Sequence, residues 1–150
     1  MTFQEIHDTA QAKINSAEKK SHQRLLHGVA KLMKALEEKE VDASQLSEEL
    51  SALNEAISEK TNIGQIRNHY NCILKKVRET YGYINPGYYQ TQWMAIGMAA
   101  FGLPMGVAFA LAIGNMAFMG IGLPIGMPIG MAIGLSKDKK AKDEGKMLTL

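Results

Sequence analysis

The sequence predicts an all-α protein built in two dissimilar parts, and three observations carry that prediction. Apolar residues recur every three or four positions through the first eighty residues, the spacing of helices with one buried stripe. Residues 93–135 then run for 43 positions without an Asp, Glu, Lys or Arg. Inside that run "GLPMGVAFALAIG" (Gly102–Gly114) returns twenty positions later as "GLPIGMPIGMAIG" (Gly122–Gly134), an internal repeat.

Over all 150 residues the formal net charge is +2, an average that hides this division. Residues 1–92 carry twelve Lys or Arg and twelve Asp or Glu, and are neutral overall. Nucleic acid is therefore not an expected partner, since its binding calls for a clustered basic face. The start, "MTFQEIHDTA", has no basic residue and no apolar core, so no cleavable signal peptide is expected and the first ninety residues are placed in the cytoplasm.

From Thr2 to Glu40 there is no proline and a single glycine, Gly28. Phe3, Ile6, Ala10, Ile14, Ala17, Leu25, Val29, Leu32 and Leu36 form the stripe of a helix that weakens over "EKKSHQR", Glu18 to Arg24. A turn is expected near "KEVDAS", with Asp42 or Ser44 accepting from the free N–H groups of the next helix. A second stripe runs through Leu46, Leu50, Leu53, Ile57, Ile63, Ile66, Tyr70, Ile73, Leu74 and Val77, with a bend at "SEKTNIG". Residues 1–80 thus read as a helical hairpin or small coiled-coil bundle, with a second copy of the chain completing the core. Charge runs basic over 13–34, acidic over 37–59 and basic over 60–78, which sets opposite signs across an antiparallel pair.

Nothing in this part has the pattern of a catalytic or metal site. His22 and His27 stand five apart and do not share a helix face, while His69 and Cys72 lack further ligands nearby. Cys72 is the only cysteine, which excludes an internal disulfide and argues against a thiolate zinc cage. No nucleophile elbow or P-loop occurs, so neither catalytic residues nor a cofactor are expected.

Residues 81–92 form an aromatic linker, in "YGYINPGYYQTQW", around a turn at Asn85, Pro86 and Gly87. Tyr81, Tyr83, Tyr88, Tyr89 and Trp93 are candidates for the layer where headgroups meet hydrocarbon, with Lys75, Lys76 and Arg78 beside them. The alternative is an aromatic loop packed on the helical bundle.

A bilayer crossing takes about 20 helical residues, so the uncharged run is twice one crossing. Asn115, its only strongly polar side chain, follows Gly114 near the midpoint and suits a tight turn. The expected crossings are roughly residues 93–113 and 117–135. Residues 136–150 are read as a basic cytoplasmic tail with Lys137, Lys139, Lys140, Lys142 and Lys146. Lysines at both ends of the hairpin and none at its turn place both termini in the cytoplasm.

Gly102, Gly106, Ala110 and Gly114 form a small-residue row in the first crossing, and Gly122, Gly126, Gly130 and Gly134 form one in the second. Four-residue steps nearly close a turn, so each row is a groove through which another backbone can approach. Pro104, Pro124 and Pro128 are expected to kink the helices. The run resembles the glycine-zipper type of membrane segment, found in channels, pore-forming toxins and many small bacterial proteins of uncharacterised function. The tail "KKAKDEG" resembles the segment after the zipper in some of the latter, and the likeness covers roughly residues 93–146. It implies bilayer insertion and close helix association.

The leading functional expectation is an integral membrane protein whose hairpin anchors and oligomerises a cytoplasmic module, residues 1–80, that binds an unidentified protein partner. The lipid bilayer and other copies of the chain are its further partners. An oligomeric pore or channel is the main alternative. Two further readings are copper handling through the Met94/Met98 and Met127/Met131 pairs, and a hairpin held in a soluble bundle until release.

Overall fold

The spacing of three and four closes into helices, and the chain is all-α. A computed structural model describes residues 2–15, 17, 19–59 and 62–150. Contacts divide it into two units, one running from the N-terminus through Asn85 and taking in Leu148–Leu150, the other Pro86–Met147.

The described part of the first unit contains α1 (Phe3–Ile14), α2 (Lys20–Glu38), α3 (Ser47–Ser58) and α4 (Ile63–Tyr81), with a 3-10 turn at Ala43–Leu46. The helix expected from Thr2 to Glu40 is therefore two helices. The division falls just ahead of most of the weak stretch: α1 ends at Ile14, and Lys20–Arg24 of "EKKSHQR" already belong to α2. Phe3, Ile6 and Ala10 are the buried residues of α1, which packs on α2 and α3. Glu18 lies outside the described residues, as do Lys60 and Thr61 of "SEKTNIG".

Local hydrogen bonds set the helix starts. Thr2 and Glu5 form a reciprocal capping box: the Glu5 N–H donates to Thr2 Oγ1 at 3.3 Å and the Thr2 N–H to the Glu5 carboxylate at 2.9 Å. Asp42 accepts from the Ser44 N–H at 2.9 Å, and Asn62 accepts from the Gly64 N–H at 3.1 Å at the start of α4. Gly82, at φ 71°, ends α4 in the left-handed conformation that a side chain disfavours.

α2 has the widest apolar arc, with Leu26, Val29, Ala30, Leu32, Met33, Ala35 and Leu36 all buried. An arc wider than one stripe is what a helix needs when neighbours cover it from two sides, and both α1 and α4 pack on α2. Leu50, Leu53, Ala56 and Ile57 of α3 and Ile66, Ile73 and Val77 of α4 complete the core. The far end of the chain joins them: Leu148 is 1% exposed within this core, and its N–H donates to the Ile84 carbonyl at 2.9 Å. The chain's own helices and its end thus supply cover that a two-helix hairpin would have needed from a second copy.

The charge pattern appears as one ion pair between α3 and α4, with Lys76 Nζ donating to Glu49 Oε1 at 2.7 Å. The Lys76 hydrogen bond holds the Glu49 carboxyl below its usual 4.5, and the same bond raises the Lys76 ammonium above its usual 10.5. The carboxylate's stabilisation is complete above pH 4.5 and is lost as pH falls through the lowered folded value; the ammonium's is complete below pH 10.5 and lost as pH rises beyond it. Leu36→Ala is expected to cost this unit about 2–5 kcal/mol. Glu49→Gln should lower the urea midpoint several-fold less, with a difference from wild type that shrinks in high salt and fades below pH 4.5.

Candidate functional site

The second unit consists of α5 (Tyr88–Gly97), a π-turn (Met98–Gly102), α6 (Leu103–Ile113), a 3-10 segment (Met116–Ile121) and α7 (Gly122–Asp143). They join into two long apolar stretches, Tyr88–Ile113 of 26 residues and Met116–Asp143 of 28. The first is about 39 Å long at the α-helical rise, against a hydrocarbon core of about 30 Å. Both stretches are long and apolar enough to cross a membrane. The turn falls where the sequence placed it: Gly114 has φ 71°, and Asn115 Oδ1 accepts from the Ala117 N–H at 2.9 Å. The helices overrun the expected limits, starting five residues before Trp93 and continuing past Leu135 through the lysines to Asp143.

The two stretches lie antiparallel with glycine against glycine. A Cβ added at Gly102 would come within 3.0 Å of the Gly122 carbonyl oxygen, and one at Gly126 within 2.7 Å of the Gly102 nitrogen. One at Gly97 would sit 2.6 Å from both the Gly126 oxygen and the Gly130 Cα, and one at Gly134 2.5 Å from the Gln90 Cα. Gly106 faces the Met119 backbone and Gly130 that of Trp93. Each neighbour is backbone, which cannot step aside as a flexible side chain would. Backbone contact this close gathers dispersion and weak Cα–H···O interactions along the whole seam.

Of the eight predicted packing positions, Gly102, Gly106, Ala110, Gly122, Gly126, Gly130 and Gly134 are buried. Gly114 is not in the row: its helix ends at Ile113, and its left-handed backbone serves the turn, with open space where a Cβ would be. The first row continues instead to Gly97, five residues before Gly102, a step that breaks the four-residue rule. The π-turn accounts for it. The Leu103 N–H bonds back to the Met98 carbonyl, so this turn takes one residue more than an α-turn. Five residues then make about one turn, and Gly97 and Trp93 come onto the face that Gly102 begins.

The prolines fall into this scheme. Pro104 stands directly after the π-turn, and the carbonyl its ring would crowd, that of Ala100, lies within the wider turn. Pro124 occupies the first turn of α7, where helical N–H groups have no partner within the helix, so the kink expected there is not required. Pro128 alone lies in the interior of α7.

At the open end of the hairpin one buried carboxylate ties the helices. Asp138 of α7 is 6% exposed, and its two oxygens accept from the N–H groups of Tyr89 and Gln90, each at 3.0 Å. These are opening N–H groups of α5, whose own N-cap, Gly87, has no side chain to offer. Lys137 lies 5.0 Å over the Trp93 ring, and Tyr88 and Tyr89 meet edge to face at 5.3 Å. Sequence pattern does not announce Asp138, because its role depends on a partner 49 residues away.

The predicted interfacial residues divide between the units. Tyr88, Tyr89 and Trp93 belong to the hairpin, whereas Tyr81 and Tyr83 pack on the helical core of the first unit, their rings stacked at 6.3 Å. The Tyr81 hydroxyl donates to Gln45 Oε1 at 3.2 Å and Lys39 lies 5.6 Å over the Tyr83 ring, so these two aromatics fit the packed-loop alternative. Lys76 holds Glu49, Lys75 lies 3.9 Å from Glu79, and Arg78 is in the last turn of α4. Among the described residues no three His, Cys, Asp or Glu side chains gather as a metal site.

No protein-family model matches the chain, and no curated protein or solved structure is significantly similar to it.

Gly126→Leu is expected to force α5 and α7 apart at a cost of about 1–3 kcal/mol or more, seen as a shift in Trp93 emission and earlier thermal loss of helicity. Gly120→Leu, with nothing within 4 Å, is the control and should change neither. Asp138→Ala should cost about 1–2 kcal/mol by leaving two N–H groups uncapped, with Asp138→Asn recovering part of it.

Proposed function

We propose that this chain is an integral membrane protein whose glycine-packed hairpin spans the bilayer and anchors the helical module of the first unit at the membrane surface. The observation that carries this reading is an inverted pattern of exposure. Along the seam of the hairpin the glycines face inward, while fourteen large apolar side chains between Ile96 and Leu135 face outward, Leu111 at 67% and Met116 at 66% exposure. Only 22% and 17% of the most apolar windows of the two stretches are buried, which does not suit core helices of a water-soluble fold. In water such a surface is costly, whereas hydrocarbon accepts it and holds the helices intact, since their backbone groups have no competing solvent. Lysines 137, 139, 140 and 142 near the open end, with no charge at the Gly114–Asn115 turn, favour both termini on the cytoplasmic side.

Self-association, in this reading, is not driven by the glycine rows, because they are occupied inside the hairpin. That weighs against a pore built on those rows, as does Asn115, whose side chain is engaged in the turn. The methionine pairs have no support beyond their spacing.

After isolation of membranes the chain should resist a carbonate wash. An impermeant maleimide should modify the exposed Cys72 from the cytoplasmic side, and a Met116→Cys probe in a Cys72→Ser chain only from the opposite side. A chain that washes off as soluble protein, or two probes modified from one side, would reject the spanning hairpin.

A further inference from the structure

The solvent face of α2 carries a row of cations. Lys20, Arg24, Lys31 and Lys34 lie, with His27 between them, in steps of four, three, four and three, and all are exposed. That places them along one side of the helix over about 21 Å. Among the described residues no carboxylate pairs with Lys20, Arg24, Lys31 or Lys34. At the start of the stripe Lys20, Gln23, Arg24 and His27 line, with Ile14, an open groove of about 400 Å³.

Helix stability does not account for these cations. A helix favours acids in its first turn and bases in its last. α1 follows that rule with Glu5 and Lys13, α3 with Glu48 and Glu49, α4 with Arg78, and α7 with Lys140 and Lys142. α2 departs from it, with Lys20 at its start, no acid in its first turn and Glu37 and Glu38 at its end, although Lys39 follows them as the C-cap. Its opening N–H groups also lack a side-chain cap. The cations at its start gain nothing from the helix dipole.

We propose that this face of α2 lies on the anionic headgroups of the bilayer that the hairpin enters. The inference rests on the anchoring reading, which holds the module at such a surface. Between α4 and α5 there are six residues, Gly82–Gly87, a tether of at most about 20 Å. The first unit is therefore tethered close to the headgroups, and a tethered site needs little intrinsic affinity. A straight, unpaired row of cations suits a flat array of phosphates. It suits a helical protein partner poorly, because the 4-3 positions that would form a packing seam are charged. The exposed large apolar side chains among the described residues also lie only between Ile96 and Leu135.

The test uses the full chain in vesicles, with Cys72→Ser and Ser21→Cys carrying a fluorophore beside the stripe and headgroup-spin-labelled lipid as quencher. With phosphatidylglycerol present the probe should be quenched; pure phosphatidylcholine, high salt, or the combined K20E, R24E, K31E and K34E changes should abolish most of that quenching. A probe at Ser51 of the acidic α3 should stay bright, and unchanged circular dichroism would show that the charge-reversed chain folds. Equal quenching in both lipids, none in anionic vesicles that carry the protein, or energy transfer between copies in its place would overturn the proposal. Failure of the anchoring reading would appear separately, as a chain that does not float with phosphatidylcholine vesicles. In that case salt-sensitive binding to anionic vesicles that the charge reversal removes still supports the α2 face, and its absence overturns it.

Discussion

Close approach of two backbones along the α5–α7 seam governs the second unit. Where glycine faces glycine, each helix presents its largest side chains to the other side, so the choice that joins the pair also coats it in hydrocarbon. Packing and partition are then one property. A hairpin closed by large interlocking side chains would keep apolar surface between its helices; this one keeps almost none there and turns it outward. The turn at Gly114, the π-turn and the Asp138 cap each act on the seam, by reversing the chain, aligning the faces and securing the open end.

The repeat and the pairing obey different symmetries. Gly102–Gly114 and Gly122–Gly134 are related by translation along the chain, but an antiparallel hairpin reverses one against the other. Only their beginnings meet, Gly102 and Gly106 against Gly122 and Gly102 against Gly126. Gly126 meets both Gly102 and Gly97, and the remainder of the second copy, through Gly130 and Gly134, runs alongside residues before the first copy begins, from Gly97 back to Tyr89. Two sticky helices were therefore insufficient: the segment ahead of the first copy needed a glycine face of its own. Gly97 supplies it, and the additional residue in the π-turn rotates it into line. Without that residue, four-step positions before Gly102 would be Met98 and Met94, whose side chains would occupy the space the α7 backbone now fills.

Such geometry explains which features could be read from the chain alone. The small-residue rows, the turn at Gly114 and Asn115, and the stripes of α1 to α4 are set by neighbours three or four residues apart, and spacing exposes them. Gly97 was invisible because its phase depends on a backbone irregularity that no local composition announces. Asp138 looked like one charge in a basic tail because its partners are the N–H groups of α5. Tyr81 and Tyr83 looked interfacial by adjacency to the apolar run, yet both pack on the hydrophobic core of the first unit, and Gly82 turns the chain before the hairpin begins. Leu148 could not be anticipated from periodicity, since it enters that core from no helix.

Averaging concealed the charge of α2 in a similar way. Twelve bases against twelve acids make the first 92 residues neutral, and neutrality argues against nucleic acid. A helix, however, sorts residues by angle as well as by position: the apolar arc of α2 takes the inward side, and its exposed positions through Lys34 hold Lys20, Arg24, Lys31 and Lys34 beside Ser21 and His27, with the acids deferred to Glu37 and beyond. The compensating negative charge resides on other elements, such as the first turn of α3, where Glu49 is held by Lys76. Net charge measures the whole, while a surface responds to the side presented to it. What separates this row from the faces of α1 and α3 is the start of the helix, where those two place acids and α2 places Lys20 against its own dipole.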